Sequence, residues 1–433
     1  MKIVIATAVY YPMINGVAVF AHSLAVGLAK RGNEVMVICP SQTGKNYTRT
    51  VDGVKTVYLK SVQAKVYPDQ IHTVPARKKV LGLELPHLWY RHGFRVSVFP
   101  QREIKKVLDE FRPDVVHVQV SDPIGLSVVS YARHRGIPVV TTEHNQPDVI
   151  TDPLKLPFLV KKPVDAVLAA YFVNRQSKSD FVTMPTEKAI KDLIWSRGKG
   201  FPVPVAAVSN GVDLSSFKPG KVPAEIYHKY KIPKDRPVVL YVGRVDPEKK
   251  VGLVIDAFLK MKSSGIRLGQ LGTRPFNPLL LIVGDGVDKN RLEKKVKEME
   301  ATDAVQFLGK VLPPDLYNIY NVAEVFATAS PIETQGIVLI EAAATGLPLV
   351  AVDAGAVDEV CINGKNGFLC KPGDTSEMAE AISKILMDEK LRERFAKNSI
   401  EIASKHDFER TLDSFINIYR RVIKEKGQEK GAH

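Results

Sequence analysis

Residues 114–142 read DVVHVQVSDPIGLSVVSYARHRGIPVVTT and form the clearest repeating unit of the chain. The stretch begins and ends with short runs rich in Val and Thr, residue types that favour β-strands. A segment with helical periodicity lies between the two runs. This order predicts a βαβ unit, in which two parallel strands belong to a sheet that helices cover on both faces.

The same alternation continues in both directions along the chain. A connector with two prolines and an Asn-Gly pair, FPVPVAAVSNGVD at 201–213, separates two series of such units. With 433 residues, 45% of them apolar, the chain has enough material for two cores. We therefore expect an α/β protein with two doubly wound, Rossmann-like domains, at 1–210 and 211–404, followed by an amphipathic helix in 405–433. The other strand-like runs are KIVIA at 2–6, EVMVIC at 34–39, FVTMP at 181–185, PVVLYVG at 237–243, LLLIVG at 279–284, AVQFLG at 304–309, EVFATAS at 324–330 and PLVAV at 348–352.

Composition excludes several classes of protein. Three widely spaced cysteines make neither a disulfide framework nor a zinc site, which fits a reducing compartment. No run of about 18 apolar residues occurs, so no membrane-spanning segment is expected. Pro12, Asn15 and Gly16 interrupt the first apolar run, so we expect no secretion signal and a cytoplasmic protein.

The positive charge is concentrated in the first half of the chain. Residues 1–210 hold 28 basic and 16 acidic side chains, a net charge of +12, whereas residues 211–433 have a net charge of +2. A half of the chain with this much positive charge is typical of proteins that bind an anionic partner, for example nucleic acid, an anionic bilayer or a phosphorylated ligand. The charge is also compatible with a surface that is simply solvated. No recognition helix, RNP-like strand or zinc spacing accompanies the charge, so nucleic-acid binding remains a distant alternative.

The stretch SPIETQGIVLIEAAATGLP at 330–348 carries the densest signal in the second half. Gly346 and Pro348 end a helix that is expected over 336–345, and backbone N–H groups in its first turn lack partners within the helix. They can hold a phosphate, while Glu333 and Glu341 flank the same ligand and accept hydrogen bonds from sugar hydroxyls. Two unrelated surface glutamates are the alternative. The N–H groups in question belong to Gly336, Ile337 and Val338.

Three further loops follow predicted strands, where doubly wound domains bind ligands. VGRVDPEKK at 242–250 offers Arg244 and Lys249 to a diphosphate, or else forms a solvated loop. His144 stands just beyond the strand at 138–142. VGDGVDK at 283–289 contains Gly284 and Gly286 but Lys289 in place of a third glycine, which disfavours a nicotinamide cofactor.

The loop after the first strand reads YYPMINGVAV at 10–19. Gly16 lacks a side chain, so a backbone N–H can approach an anion at the head of the following helix. An ordinary turn between strand and helix explains the segment equally well.

The motifs along the chain are, in order, NGV, TTEH, SNGVDLSSF, GRVDPEKK, VGDG and two glutamates separated by seven residues. The order of these motifs resembles glycosyltransferase family 4. The members of this family are retaining enzymes of the GT-B fold, in which two Rossmann-like domains face each other across a cleft. The resemblance runs from residue 1 to about residue 425. It implies that a catalytic set lies beside the transferred sugar and the diphosphate, comprising His144, Arg244, Lys249 and Glu333. It also implies donor-binding roles for Gly16, Gly284, Gly286, Lys310, Gly336, Ile337, Val338 and Glu341.

The reaction implied by the resemblance is hexose transfer from a nucleotide diphosphate sugar with retention at the anomeric carbon. The resemblance offers no carboxylate nucleophile, so we expect a same-face substitution in which the protein supplies charge and orientation. The basic pair can replace a metal, and we expect neither a metal ion nor a cofactor. UDP-glucose is the favoured donor. The choice between UDP and GDP as the nucleotide, and between glucose, galactose and mannose as the sugar, stays open.

The acceptor depends on the first domain. Segments 72–102 and 154–175 interleave bases with aromatic and aliphatic residues, which is typical either of a protein lying on an anionic membrane or of core-facing helices with solvated faces. ETQG at 333–336 resembles enzymes that glucosylate diacylglycerol. We expect a peripheral 1,2-diacylglycerol 3-alpha-glucosyltransferase on the cytoplasmic face of the membrane; a soluble sugar or polysaccharide precursor is the alternative acceptor. The residues expected at the membrane are Arg77, Lys78, Lys79, Trp89, Arg91, Lys161 and Lys162.

Overall fold

The computed structural model describes residues 1–11, 13, 16–63, 79–80, 83–84, 95–119, 122–144, 151, 157–197, 200–263 and 277–431. The chain divides into two compact units. The first comprises Met1–Val208 together with Leu412–His433, and the second comprises Ser209–Thr411. Each unit is α/β, as the sequence predicts.

The first unit is built on an eight-stranded sheet. Its strands run in the order β12-β11-β10-β9-β1-β2-β4-β3, and all neighbours are parallel except the antiparallel pair β3 and β4. The strands are β1 (Lys2–Ala6), β2 (Glu34–Pro40), β3 (Tyr47–Val51), β4 (Val54–Leu59), β5 (Val62–Gln63), β6 (Lys79–Val80), β7 (Leu83–Glu84), β8 (Arg95–Val96), β9 (Val115–Val118), β10 (Val139–Thr142), β11 (Phe181–Met184) and β12 (Val205–Ala207). The helices are α1 (Gly16–Lys30), α2 (Gln101–Phe111), α3 (Pro123–Arg135), α4 (Phe158–Gln176) and α5 (Glu187–Arg197).

The unit at 114–142 folds as its sequence predicts. Strands β9 and β10 are buried along their whole length, because helices or loops cover both faces of a parallel sheet. The carboxylate of Asp122 accepts a hydrogen bond from the N–H of Gly125 and so caps the start of α3. Gly136, with φ of 61°, ends this helix in the left-handed conformation that costs glycine least.

The connector expected over 201–213 is partly wrong. Val205–Ala207 in fact forms β12, which pairs in parallel with β11 at the edge of the sheet. Pro202 and Pro204 lie just before the strand, and an edge strand tolerates prolines because one side of it needs no ladder hydrogen bonds. The two prolines therefore mark the entry to an edge strand as well as a change of unit.

The second unit contains a six-stranded parallel sheet in the order β15-β14-β13-β16-β17-β18. Apolar side chains pack on both of its faces. The strands are β13 (Val238–Val242), β14 (Leu279–Val283), β15 (Val305–Gly309), β16 (Val325–Ala327), β17 (Leu349–Val352) and β18 (Gly367–Cys370). The helices are α6 (Ala224–Lys229), α7 (Val251–Ser263), α8 (Lys289–Glu298), α9 (Asp315–Val322), α10 (Ile337–Ala344), α11 (Thr375–Met387) and α12 (Glu389–Ala403).

The last helix, α13 (Phe408–Gly431), packs mainly within the first unit. Its apolar face buries Leu412, Phe415 and Tyr419, the face that the sequence pattern indicates. The hydroxyl of Tyr419 lies 2.6 Å from Nδ1 of His117 on β9, so a buried polar contact joins this helix to the centre of the first sheet.

Candidate functional site

Polar side chains collect where the strands of the second sheet end. The loops after β13, β14 and β16 all leave from the carboxyl edge of this parallel sheet. Ligands of doubly wound domains bind at this edge. The sequence-predicted residues Arg244, Lys249, Gly284, Gly286 and Glu333 all lie on these three loops.

The loop after β13 and the loop before α10 are joined by an ion pair. Nζ of Lys249 lies 2.6 Å from Oε1 of Glu333, and it also approaches Oγ of Ser330 at 3.4 Å. Both members of the pair are largely shielded, with side-chain exposures of 19% for Lys249 and 16% for Glu333. Two residues 84 positions apart in the sequence are thereby placed within reach of one ligand.

Arg244 is held by carboxylates of its own loop. Its guanidinium contacts Asp246 and lies 2.7 Å from Oε1 of Glu248. Asp246 is buried and also accepts a hydrogen bond from the N–H of Val287. Sequence reasoning missed both carboxylates, although they stand inside the quoted motif as the D and E of VDPEKK. Arg244 is therefore oriented before any ligand arrives.

The start of α10 has the geometry expected of an anion cradle. Gly336 precedes the helix with φ of 71°, a conformation that glycine adopts without steric cost. The helix runs over Ile337–Ala344, which confirms the predicted segment to within a residue at each end. The N–H groups of Ile337 and Val338 lie in its first turn, where an α-helix provides no backbone acceptor. A phosphate placed there meets unpaired donors and the positive end of the helix dipole.

Glu341 lies inside α10 and is bound by a tyrosine that sequence reasoning missed. The hydroxyl of Tyr320, on α9, donates to Oε2 of Glu341 over 2.6 Å. Burial raises the pKa of Glu341 to about 7, and the hydrogen bond from Tyr320 opposes this shift. The carboxyl group therefore changes charge close to neutral pH, which is unusual for a glutamate.

Gly284 and Gly286 allow two loops to pack closely. A Cβ on Gly284 would overlap the carbonyl oxygen of Gly243, and one on Gly286 would overlap that of Val245. These glycines are thus required by the packing of the loops after β13 and β14 even without a ligand. Lys310 follows β15, where partial loss of water lowers the pKa of its ammonium group while the charge of Asp285 opposes this effect.

His144, in the first unit, lies at the end of a buried series of hydrogen-bonded side chains. Its Nε2 lies 2.7 Å from Oε1 of Gln119, a neighbour that sequence reasoning missed. Since a carbonyl oxygen accepts, His144 carries its proton on Nε2 and keeps Nδ1 as an acceptor. Burial lowers the pKa of His144 to about 4, so the ring is neutral at physiological pH.

The start of α1 approaches His144 in the same unit. The ring of Phe20 meets the imidazole edge to face, with 5.3 Å between centroids. Gly16 is the first residue of α1, one turn before Phe20, and is exposed. His117 is fully buried, and its Nδ1 lies 2.6 Å from the hydroxyl of Tyr419.

Helix α4 contains Lys161 and Lys162, two of the residues expected at a membrane. Lys162 is exposed, whereas Lys161 lies 3.0 Å from Asp165 one turn away. One side of α4 is buried through Ala169, Phe172 and Val173. The opposite side leaves a row of apolar side chains exposed, which we call the α4 apolar stripe: Leu159, Val160, Val167 and Tyr171.

The other expected membrane residues lie in segment 72–102. Arg77, Lys78, Trp89 and Arg91 are outside the residues that the structure describes, as is the side chain of Lys79. None of the helices in the described ranges is both long and apolar enough to cross a membrane. Within the same ranges, no three His, Cys, Asp or Glu side chains are grouped as a metal site.

Comparison with known proteins covers nearly the whole chain. Residues 14–216 match the family described as Glycosyltransferase Family 4, and residues 224–402 match Glycosyl transferases group 1. An alpha-monoglucosyldiacylglycerol synthase of Acholeplasma laidlawii is 26% identical over 411 residues, which are 94% of this chain and 93% of that protein. A glycogen synthase of Mycobacterium tuberculosis is 25% identical over 433 residues, 97% of this chain and 94% of that protein.

Solved structures show the same fold. A sucrose-phosphate synthase from Thermosynechococcus elongatus superposes with a TM-score of 0.72 at 19% identity, covering 98% of this chain and all of that one. Anabaena Alr3699/HepE, in complex with UDP and glucose, gives a TM-score of 0.68 at 17% identity, with coverage of 97% and 100%. At such low identity the likeness establishes the fold and leaves the substrate to the chemistry of the site.

Proposed function

Since the chain belongs to glycosyltransferase family 4 and has the GT-B fold, we propose that it moves a hexose from a nucleotide diphosphate sugar to a membrane lipid. The favoured donor is UDP-glucose, the favoured acceptor is diacylglycerol, and the product keeps the α configuration. One observation carries the donor half of this proposal, namely the pairing of Lys249 with Glu333 in front of α10. A cation, a carboxylate and the free backbone N–H groups of α10 therefore lie at one edge of the sheet.

Each of these groups suits one part of a nucleotide sugar. The ammonium of Lys249 and the guanidinium of Arg244 stabilise negative charge that develops on the departing diphosphate. The N–H groups at the start of α10 hold a phosphate, and Glu341 accepts hydrogen bonds from ribose hydroxyls. Glu333 accepts from hexose hydroxyls while its contact with Lys249 fixes its position. The residue types required by the proposed donor are thus present together.

The proposed mechanism needs no covalent intermediate on the protein. The diphosphate leaves from the same face on which the acceptor attacks, and a phosphate oxygen takes the proton of the acceptor hydroxyl. The role of the protein is to hold the reactants in line and to stabilise the leaving group. His144, neutral and with Nδ1 as an acceptor, is suited to bind a sugar hydroxyl and not to donate a proton.

Two features of the first half support a lipid acceptor. Its net charge of +12 attracts an anionic bilayer, and the α4 apolar stripe supplies side chains that enter the boundary between headgroups and acyl chains. Leu159 is 85% exposed and Val167 is 69% exposed, so neither side chain serves the core of this unit. The name of the Acholeplasma laidlawii relative, a glucosyldiacylglycerol synthase, points to the same acceptor class.

A soluble acceptor is the second candidate, favoured by the similarity to a glycogen synthase over 97% of the chain. An acceptor screen separates the two candidates. The purified protein is mixed with UDP-glucose, UDP-galactose or GDP-mannose and with either diacylglycerol-containing vesicles or soluble sugars and oligosaccharides. Mass spectrometry then identifies the product. A hexosyl-diacylglycerol supports the proposal, whereas products from soluble acceptors alone replace it with the second candidate.

A further inference from the structure

A groove of about 400 Å³ lies on the first unit, between α3 and the end of α4. Its floor includes Val118 from β9 and Leu126 and Val129 from α3, so the floor is largely apolar. Thr141, from β10, adds a buried hydroxyl that bonds to Ser179 over 2.7 Å. Grooves of this volume fit small organic molecules better than a bare ion.

Three cations surround the groove. They are Arg133 near the end of α3, Arg175 near the end of α4, and Lys178 just beyond it. A guanidinium nitrogen of Arg133 donates to the carbonyl oxygen of Lys178 over 3.1 Å, which ties the two helix ends together. The guanidinium of Arg175 lies over the ring of Tyr171, 5.1 Å from its centroid.

Among the described residues, these cations have no acidic partner. Within the described part of the chain, no carboxylate lies within ion-pair distance of Arg133, Arg175 or Lys178. The nearest acidic residue in sequence, Asp180, is occupied elsewhere, because it accepts from the N–H of Val139 and from Nζ of Lys426. Three like charges around one groove repel each other, and an anion between them relieves that repulsion.

The groove is separate from the surroundings of His144. Side chains alternate between the faces of a sheet, and Val118 and Thr141 project toward α3. Their neighbours His117 and Thr142 project to the other face, where they bond to each other over 2.7 Å. A ligand in the groove therefore lies on the opposite face of the sheet from the buried hydrogen-bonded side chains that include His144.

From this geometry we propose that the groove between α3 and α4 binds the phosphate group of an organic phosphate. Two guanidinium groups and one ammonium group suit a phosphate, because arginine offers paired donors and all three supply charge. The apolar floor then contacts the carbon skeleton attached to the phosphate. The phosphate can come from a phospholipid headgroup or from a soluble phosphomonoester. The proposal goes beyond the transfer reaction and holds for either acceptor class.

The test compares two double variants of the full-length protein. Arg133→Gln with Arg175→Gln removes two cations of the groove. Arg102→Gln with Arg135→Gln removes two exposed cations of α2 and α3 outside it and serves as the matched control. The first probe is glycerol 3-phosphate, and its binding is measured by calorimetry. The second probe is phosphatidylcholine vesicles with or without phosphatidic acid, and binding to them is measured by co-sedimentation. A phosphatidic acid content of about 30% gives the vesicles a clear surface charge.

We expect at least a tenfold weaker interaction for the groove variant with one of the probes, and less than a twofold change for the control. Saturable binding of glycerol 3-phosphate identifies a soluble phosphate as the source, and binding only to phosphatidic acid vesicles identifies a lipid headgroup. The proposal is overturned if the wild type binds neither probe or if both double variants lose binding equally, since the second result reports surface charge alone. Unchanged UDP binding and melting temperature confirm that both variants fold.

Discussion

Nζ of Lys249 lies 2.6 Å from Oε1 of Glu333, and this contact bridges the loop after β13 and the loop before α10. A cation and a carboxylate are thus held at the edge of the sheet where a nucleotide sugar is proposed to bind. In the absence of a ligand each neutralises the other. A diphosphate that binds here offers Lys249 a second anionic partner, and the contact with Glu333 keeps the ammonium in place to meet it.

Replacing Lys249 tests its role at the leaving group. For Lys249→Ala we expect kcat to fall about a hundredfold or more, corresponding to roughly 2 to 4 kcal/mol of lost transition-state stabilisation. The loss also leaves Glu333 without its counter-charge beside the diphosphate. Initial rates at saturating donor measure the effect. Lys250→Gln, which removes an exposed neighbouring charge, is the control and is expected to keep the wild-type rate. A folded Lys249→Ala protein with an unchanged rate refutes the assignment.

The raised pKa of Glu341 predicts a pH-dependent donor affinity. Above about pH 7 the carboxylate is ionised and accepts strongly from ribose hydroxyls, and below it the group is protonated. We therefore expect the donor KM to rise as the pH falls through 7, by up to about tenfold per pH unit for one linked proton. Glu341→Gln is expected to raise KM and to remove this dependence, since an amide does not titrate. Steady-state kinetics between about pH 6 and 9 measure both effects.

Tyr320 and Glu324 provide the comparison for this pH effect. Tyr320→Phe removes the hydrogen bond that lowers the pKa of Glu341, so the rise in KM should begin at a higher pH. Burial also raises the pKa of Glu324 to about 7, but this residue precedes β16 at the amino edge of the sheet. Glu324→Gln should leave the profile of KM unaltered. A wild-type KM that stays constant across pH 7 contradicts the proposed contact of Glu341.

Much of this fold could be predicted because its signals are local. Runs of Val, Ile and Leu mark the buried strands, and the predicted run at 2–6 coincides with β1 as observed. The predicted start of α10 is right to within one residue, and Gly336 has the left-handed backbone just before the helix. β3 was not predicted, since TRT within 47–51 reads as a polar segment and gains its strand conformation by pairing at the sheet edge. β4 was also not predicted, although its sequence VKTVYL is rich in residues that favour strands.

The partners of the site residues could not be predicted in the same way. Tyr320 reaches Glu341 only because α9 packs beside α10, and no spacing in the sequence encodes that contact. Gln119 reaches His144 across two adjacent strands. By contrast, Asp246 and Glu248 stand within four residues of Arg244, so their charges were visible and only their geometry was missing. Long-range packing, more than residue type, limits what the sequence tells about the site.

Metal independence is a separate prediction of the proposed mechanism. If Lys249, Arg244 and the N–H groups of α10 stabilise the leaving diphosphate, a divalent cation has no essential part in the reaction. We expect transfer activity to survive excess EDTA without loss. The rate before and after chelation, and after addition of magnesium or manganese, provides the measurement. Complete loss in EDTA with recovery on addition of either ion contradicts this mechanism.

The α4 apolar stripe predicts how the protein binds a bilayer. Leu159→Gln with Val167→Gln replaces two highly exposed apolar side chains, so the fold should be unaffected while insertion at the headgroup boundary is lost. We expect weaker flotation with anionic vesicles and a lower rate of transfer to bilayer-embedded diacylglycerol. Hydrolysis of the soluble donor should continue at the wild-type rate, because no residue of the donor site is changed. Met299→Gln, which removes an exposed apolar side chain from the second unit, is the control.

Salt separates the apolar part of this binding from the electrostatic part. Each basic residue near an anionic surface contributes about 1 kcal/mol, and this contribution decays over a Debye length of about 10 Å at 0.1 M salt. Wild-type binding should therefore weaken with salt and keep a residual part that resists it, and the stripe variant should lose that residual part. Lys162→Glu should weaken the salt-sensitive part of the binding and keep the residual part, since it removes an exposed positive charge and leaves the stripe intact. If the stripe variant floats like the wild type at every salt concentration, the α4 surface takes no part in binding and the soluble acceptor becomes the better proposal.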